Sequence, residues 1–361
     1  MVSVLPIYMA STLHADKSTV GLVLASFMIA SVTIRPFSGF ALDKYGRRTI
    51  FTTALLINSI LFLGYFIATH SDSLTILRIA HGVAWGVTTI SGSIVAVDII
   101  PSEKRGEGLG YFGLSTTMGM AVGPVIGLFI GHHLGYSTMF AAAVAISFVS
   151  YGCASFMKYP KVNKTETVHF SWGGLFDKSS MGTSLNLLII MSAYGGLLSF
   201  VALYGKEIGV INTSWFFLVF AIGIASSRFA MGQVLDKKGP GKIITICLLL
   251  LIGGFIYLAM AKNIFVYYSS GILLGFGVGA VFPTFQTMVN NLAKPERRGA
   301  ANSTLYTALD LGMGAGMVFT GYIAESFSIS SAFIVCAVIC VFGLIVFRIS
   351  TLSFYNRNNH I

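Results

Sequence analysis

The sequence predicts an all-α membrane protein made of two six-helix bundles related by a pseudo-twofold axis, with the first helix incomplete. Three observations predict this fold class. Hydrophobic residues make up 55% of the 361-residue chain and charged residues only 10%, which is far less charge than a soluble domain needs to cover its surface. Apolar runs of about 20 residues recur along the chain, each long enough to cross a bilayer core of about 30 Å. The second half of the sequence also repeats motifs of the first half at one fixed displacement.

Charged residues and turn formers between the apolar runs divide the chain into twelve predicted spans. These spans are predicted at 1–13, 19–42, 49–69, 74–97, 107–131, 136–157, 183–205, 213–235, 242–261, 264–289, 299–322 and 329–349. They give four segments: an N-terminal bundle over 1–157, a central loop over 158–182, a C-terminal bundle over 183–349 and a tail over 350–361.

The basic residues predict the orientation of these spans. The predicted loops on one side carry seventeen Lys and Arg residues, and the loops on the opposite side carry three. Cytoplasmic loops of membrane proteins hold such an excess of Lys and Arg. We therefore expect a multi-pass protein of the cell membrane, the inner membrane in a bacterium, with the central loop and the C-terminus in the cytoplasm.

Other classes of protein are disfavoured by the same sequence. The net charge of +10 does not indicate nucleic-acid binding, because no basic stretch has the interleaved aromatic residues of such a surface. The four cysteines lie in apolar segments without metal-ligand spacing, and GxSxG, HExxH and P-loop motifs are absent. We expect no enzymatic activity, no metal and no cofactor.

The internal repeat relates the two halves by a displacement of 193 residues. Ser38–Gly46 (SGFALDKYG) is repeated as Met231–Gly239 (MGQVLDKKG). The same displacement maps Arg35 onto Arg228, Gly82 onto Gly275, Gly86 onto Gly279, Glu103 onto Glu296, Gly119 onto Gly312 and Gly123 onto Gly316. Two parallel halves of this kind place a substrate site between them, near the bilayer midplane, and work by alternating access.

The repeat also predicts where the first span begins. The second repeat starts near Gly182, so its counterpart lies about ten residues before Met1. We expect the first span to be incomplete, either because the start codon is assigned too late or because the gene is truncated.

Three motifs resemble those of the major facilitator superfamily, and within it the twelve-span drug/proton antiporter group. The loop between spans 2 and 3 matches G-x-x-x-D-x-x-G-R-R completely over 39–48. The fourth-span motif matches over 74–82, with His81 where glutamine is usual. The fifth-span antiporter motif matches over 119–127, although Leu128 replaces a further common glycine, and Pro6 and Tyr8 resemble the end of the first-span motif.

The resemblance implies a conformational latch at the cytoplasmic rim. The carboxylates of Asp43 and Asp98 close spans 2 and 4 on the face that carries Arg47 and Arg48, so they can latch two helices in one state and release them in another. The alternative is that the arginines only retain the loop inside. The latch candidates are Gly39, Asp43, Gly46, Arg47, Arg48 and Asp98.

Glycines at every fourth position form a smooth stripe on span 5, at Gly119, Gly123 and Gly127, and Pro124 bends the helix there. In the superfamily such a stripe packs against span 8 and is associated with export. Ordinary close packing of small residues, without bearing on direction, is the alternative.

Ionisable residues inside spans are functional candidates, because each costs about 2.5–3.5 kcal/mol at a helix centre. Asp310 is the carboxylate farthest inside a span, and we expect it to carry the coupling proton with Arg35 as its partner; a permanent structural ion pair is the alternative. Arg78 and His81 share one face of span 4. The resemblance makes Arg78 an element of proton transfer, whereas His81 is either a proton relay or a hydrogen-bonded structural residue.

The function predicted from these features is proton-coupled export of a drug or metabolite by a monomeric carrier. Alternatives are an ion-coupled uptake carrier for a nutrient and an inactive truncated product. The partners are then a small-molecule substrate, protons and the lipid bilayer. The candidate cavity residues, which could instead face lipid, are Trp85, Tyr194, Phe282, Gln286 and Asn290.

Overall fold

The computed structural model describes residues 1, 3–101, 105–159, 177–293 and 298–358. Helices account for nearly all of these residues, and the described ranges contain no β-strand. The all-α fold class is therefore confirmed.

Six helices form the first half of the chain, and their bounds follow the predicted spans closely. They are α1 (Leu5–Thr12), α2 (Lys17–Tyr45), α3 (Arg47–Leu63, continued by a 3-10 turn over Gly64–Phe66), α4 (Ser71–Ile99), α5 (Arg105–His133) and α6 (Tyr136–Phe156).

The second half supplies the remaining helices. They are α7 (Met181–Glu207), α8 (Ser214–Ala259), α9 (Ile264–Gly279), α10 (Val281–Leu292), α11 (Arg298–Ser326), α12 (Ile329–Val346) and α13 (Leu352–Asn358), with a π-helical turn over Phe347–Thr351 before α13.

Two predicted boundaries take a different form in the structure. Helix α8 contains two predicted spans, and non-helical backbone at Gly239 (φ 69°, ψ 172°) separates them. The tenth predicted span is divided at Ala280 into α9 and α10. Pro283 accounts for this second break, because it lacks the N–H that would bond to the carbonyl of Gly279.

Within the described residues, eight helical segments are long and apolar enough to cross a membrane. Two shorter apolar segments, Val122–His133 and Ser214–Arg228, belong to helices α5 and α8. Helices satisfy their own backbone hydrogen bonds, which is what spanning a bilayer requires. The chain is a multi-pass membrane protein.

The helices group into two compact units. One unit contains Met1–Ala25 and helices α7–α13, and the other contains the chain from Ser26 to the end of α6. Helix α2 therefore belongs to both units, its first nine residues to the former and the rest to the latter. The division into bundles at 157 and 183 stays a prediction.

The repeat predicted from the sequence is visible in the backbone. Gly46, between α2 and α3, has φ 92°, and its counterpart Gly239, inside α8, has φ 69°. L-residues rarely adopt this region, whereas glycine enters it without steric cost. Both halves thus make their second turn with a glycine in the same unusual conformation.

The repeat is also visible in the close packing of helices. A Cβ on Gly82 of α4 would overlap the backbone carbonyl oxygen of Phe27 on α2. A Cβ on Gly275 of α9 would overlap the carbonyl oxygen of Phe220 on α8. Because Phe27 and Phe220 are themselves 193 residues apart, the two units pack equivalent helices through equivalent atoms.

The next turn repeats the arrangement. A Cβ on Gly86 would meet the carbonyl oxygen of Ser31, and one on Gly279 would meet that of Ile224, again 193 residues further on. Close approach of backbones through small residues is how helices associate in lipid. The glycines thus identify α2–α4 and α8–α9 as the matching helix pairs of the two units.

We predict that Gly82→Ala and Gly275→Ala each destabilise the protein in detergent by about 1–3 kcal/mol, because the added methyl group must displace a backbone. Gly152→Ala and Gly253→Ala are matched helical controls, since a Cβ at either position meets nothing within 4 Å. The difference in stability is measured by thermal unfolding, with the reactivity of the buried cysteine thiols as the signal of unfolding. Equal unfolding temperatures for all four variants would contradict this account of the packing.

Candidate functional site

Arg78 lies deep inside its unit, on α4. Its side chain is 1% exposed, and its Cζ atom lies 3.9 Å from the centroid of the Phe27 ring. Its Nη1 donates to the hydroxyl of Tyr65 over 3.5 Å. Among the described residues, Nε and Nη2 have no hydrogen-bond partner. The guanidinium is thus covered by an aromatic ring and satisfied on one nitrogen.

His81 is the next member of this buried cluster. The Tyr65 hydroxyl lies 3.0 Å from its Nδ1. Arg78 can only donate to Tyr65, whereas the tautomer of His81 decides which atom donates between Tyr65 and Nδ1. Phe27 and Phe62 enclose the imidazole edge-on, at 5.6 and 4.5 Å between centroids.

This geometry is compatible with both roles predicted for His81, structural residue and proton relay. Tyr65 is itself buried and stacks on Phe140 at 5.5 Å between centroids. The hydrogen-bonded series Arg78–Tyr65–His81 therefore joins α4 to the end of α3. A relay role for His81 stays a prediction.

Trp85 lies on the same face of α4, seven residues beyond Arg78, and is 43% exposed. Its ring centroid is 6.3 Å from that of Phe27. The Phe27 ring is therefore in contact range of a buried cation on one side and an exposed indole on the other.

The arginines among the latch candidates have described partners at the ends of other helices. Arg47, the first residue of α3, forms an ion pair with Asp98 near the end of α4. Arg48 turns instead toward α6, where it donates to the carbonyl oxygen of Ser155 over 3.3 Å. The two arginines thus have separate partners. At Gly39 and Asp43 the structure describes the helical backbone alone.

Arg48 also influences the phenol of Tyr159, which lies just beyond α6. The guanidinium carbon is 5.9 Å from the ring centroid. Burial raises the pKa of Tyr159, and the positive charge of Arg48 opposes that rise.

Both members of the predicted proton-coupling pair are buried. Arg35 on α2 is 9% exposed and Asp310 on α11 is 7% exposed. Because they belong to different compact units, their pairing stays a prediction. Each group is thus inside its own unit, and the functional role of both stays a prediction.

The fifth-span stripe lies on α5, which contains Pro124 in its interior. Gly119 and Gly123 are exposed, and within their own unit a Cβ at either would meet no atom within 4 Å. The stripe is therefore an open surface of that unit, and its packing against the eighth span stays a prediction.

Three of the predicted cavity residues form one face of α10, and α11 supplies their partners. Gln286 donates to Asn302 over 3.1 Å, and Asn302 donates to Asn290 over 2.6 Å. Phe282 meets Tyr306 at 5.2 Å between ring centroids. All of these side chains are at least partly exposed, which places a polar face on an otherwise apolar helix pair.

Tyr194 on α7 behaves differently from the other cavity candidates. It is 8% exposed, and its ring stacks on Phe220 at 6.2 Å between centroids. In this structure it therefore packs inside its unit.

The start of α2 is held by two carboxylates of the same unit. The ammonium of Lys17 lies 2.7 Å from Glu207 at the end of α7, and its backbone N–H donates to Glu325 at the end of α11 over 2.8 Å. A Cβ on Gly21 would overlap the carbonyl oxygen of Met317. Charge and close packing together fix the first turns of α2 on α11.

Sequence reasoning missed several of these residues. Tyr65 and Phe27 gave no signal because an aromatic residue in an apolar span is usually core or lipid-facing. Asn302 and Tyr306 could have been found, since they lie eight and four residues before Asp310 and share its helix face. Glu207 and Glu325 gave no signal because charged residues are common at the ends of spans.

Comparison with known proteins assigns the family. The family profile of the Major Facilitator Superfamily matches residues 1–211 and 183–357. The staphylopine export protein of Staphylococcus aureus is 22% identical over 360 residues, covering 96% of this chain and 89% of that protein. The multidrug resistance protein MdtG of Klebsiella pneumoniae is 24% identical over 347 residues, covering 92% and 83%.

Solved structures show the same fold at low identity. A mutant of the nucleoside transporter NupG superposes with a TM-score of 0.80 at 16% identity, covering 96% of this chain and 94% of that one. The human organic anion transporter MFSD10 superposes with a TM-score of 0.68 at 16% identity, covering 90% and 83%.

The members of this family are transporters of small molecules and not enzymes, in agreement with the expectation from the motifs. With the family profile matched along nearly the whole chain and the glycine contacts duplicated between its halves, this chain belongs to the Major Facilitator Superfamily.

Proposed function

We propose that this transporter exports a small molecule in exchange for protons, by alternating access and as a monomer. The observation that carries the direction is the likeness to the staphylopine export protein over 96% of the chain. The fifth-span glycine motif, open on its own unit, supports the same direction. The excess of Lys and Arg in predicted loops supports a cytoplasmic central loop and C-terminus.

Proton coupling is assigned to Asp310. A buried carboxylate in a span is costly when charged and can be neutralised by a proton, so its occupancy can follow the state of the transporter. Arg35 is the proposed counter-charge that holds the unprotonated form. Arg78 and His81 complete the set of buried ionisable groups to be tested.

The Arg47–Asp98 pair is assigned to the latch. It joins the ends of α3 and α4 at the rim predicted to be cytoplasmic, where Gly46 makes the turn that brings Arg47 into reach. Asp43, Gly39 and Arg48 belong to the same proposed device.

The second candidate function is ion-coupled uptake of a nutrient on the same fold. The fold, which a nucleoside transporter structure shares at 16% identity, does not by itself set the direction of transport. Direction therefore has to be measured.

The direct test uses inside-out vesicles with an acidic interior, and a panel containing ethidium, carboxyfluorescein, amino acids and nucleosides. We expect accumulation of at least one compound, collapsing on addition of a protonophore. Asp310→Asn should abolish the dependence on the proton gradient, whereas Asp72→Asn, at an exposed carboxylate near the start of α4, should not. Accumulation only in right-side-out vesicles would replace export by uptake.

A second prediction concerns the latch. A partly buried ion pair contributes about 1 kcal/mol, so Arg47→Gln and Asp98→Asn should each slow transport about fivefold. The exchanged pair, Arg47→Asp with Asp98→Arg, should recover part of the rate, and Arg357→Gln is the surface control. These effects are measured as initial rates of transport in the same vesicles. If the exchanged pair transports more slowly than both single variants, a pairwise latch is excluded.

A further inference from the structure

Among the described residues of its unit, no carboxylate pairs with Arg78. Of the described carboxylates of that unit, Asp98 pairs with Arg47 and Asp72 is exposed. Asp98 also lies twenty residues along α4 from Arg78, which is about 30 Å of helix. A buried cation without a partner is strongly unfavourable, so the site is built to receive negative charge from elsewhere.

The unsatisfied atoms have a specific geometry. Nη1 is directed to Tyr65, whereas Nε and Nη2, which lie on one edge of the planar guanidinium, have no hydrogen-bond partner among the described residues. That edge presents two parallel N–H groups in the spacing of the two oxygens of a carboxylate. Tyr65 thus occupies the nitrogen that a two-pronged contact would not use.

Phe27 covers the face of the same guanidinium. A ring at 3.9 Å gives a cation–π contact, which stabilises the charge without satisfying either N–H group. The ring is 7% exposed and lies next to the exposed Trp85, so it separates Arg78 from the exposed part of the same helix face.

Phe27 can open this cover only by rotating its side chain. Its backbone carbonyl is in contact with Gly82 so closely that no Cβ fits between them, which fixes the position of α2 against α4. Rotation of the ring about its own side-chain bonds leaves that backbone contact intact.

We propose that the Nε–Nη2 edge of Arg78 binds a carboxylate of the transported molecule, with Phe27 as the movable cover and Tyr65 as the residue that orients the guanidinium. The substrates are then organic anions that carry an apolar or aromatic body, for which Phe27 and Trp85 supply the contact surface. This inference rests on the proposed transport function for its meaning, although the binding itself is independent of transport.

The test measures binding to the purified protein in detergent, with radiolabelled pairs that differ only in a carboxylate and a carboxamide. The pairs are 1-naphthoate with 1-naphthamide and indole-3-acetate with indole-3-acetamide. We expect at least one carboxylate to bind about tenfold more tightly than its amide. Absence of any carboxylate preference in both pairs would overturn the proposal.

Variants locate the site. Arg78→Lys keeps the positive charge but lacks the two parallel N–H groups, so it should weaken carboxylate binding about tenfold. Arg78→Gln should remove the preference for the carboxylate over the amide. Arg348→Gln, at an exposed arginine just beyond the end of α12, is the matched control and should change nothing. An equal loss in the Arg348 variant would assign the preference to surface charge and overturn the proposal.

Phe27→Leu tests the proposal even if the Arg78 variants do not fold. Leucine keeps an apolar contact for the body of the ligand but removes the cation–π contact that competes for Arg78, so the ratio of carboxylate to amide affinity should rise a few-fold. An equal change in affinity for both members of a pair would show that Phe27 acts on the apolar body alone, against the proposal. Carboxylate binding without gradient-driven accumulation in vesicles would leave the anion site standing and reject the proposed export.

Discussion

Close contact between helix backbones is the constraint on which the rest of this structure depends. Lipid offers no hydrophobic gain when two apolar helices meet, so their association depends on packing at short range. Gly82 and Gly275 supply it, each against the carbonyl oxygen of an equivalent phenylalanine on the partner helix. The positions of Phe27, and through it of Arg78, follow from that contact, because α2 has no freedom to slide on α4.

Buried polar groups are then distributed unequally between the two units. The unit of α4 holds an arginine whose side chain donates to a tyrosine through one nitrogen. The unit of α10 and α11 holds the buried carboxylate of Asp310 and, in addition, partly exposed neutral amides that bond to one another. An unbalanced charge and a satisfied amide series have different energetic consequences, since the former attracts a counter-ion and the latter holds two helices together.

The sequence predicted the helical spans, the duplication and the family. These depend on long apolar runs and on motifs repeated at a fixed displacement, and both can be recognised without knowing which residues pack together. It named Arg47 and Asp98 together as latch candidates because both lie at the ends of spans on the predicted cytoplasmic rim. It could not predict that Arg48 would turn to Ser155, because that choice depends on where α6 ends relative to α3. Phe27 and Tyr65 were missed for a related reason: their importance comes from the arginine between them, and sequence spacing does not show which aromatic ring lies on which cation.

The break at Ala280 has a mechanical consequence for the tenth span. Its first piece, α9, packs on α8 through glycines, whereas its short amphipathic piece, α10, is tethered to α11 by the amides of Gln286, Asn290 and Asn302. Both pieces pack on α8, but only the second is also tied to α11 by these amides among the described contacts. A displacement of α11 would therefore act on the polar face of α10 directly, across a joint that a proline has already weakened.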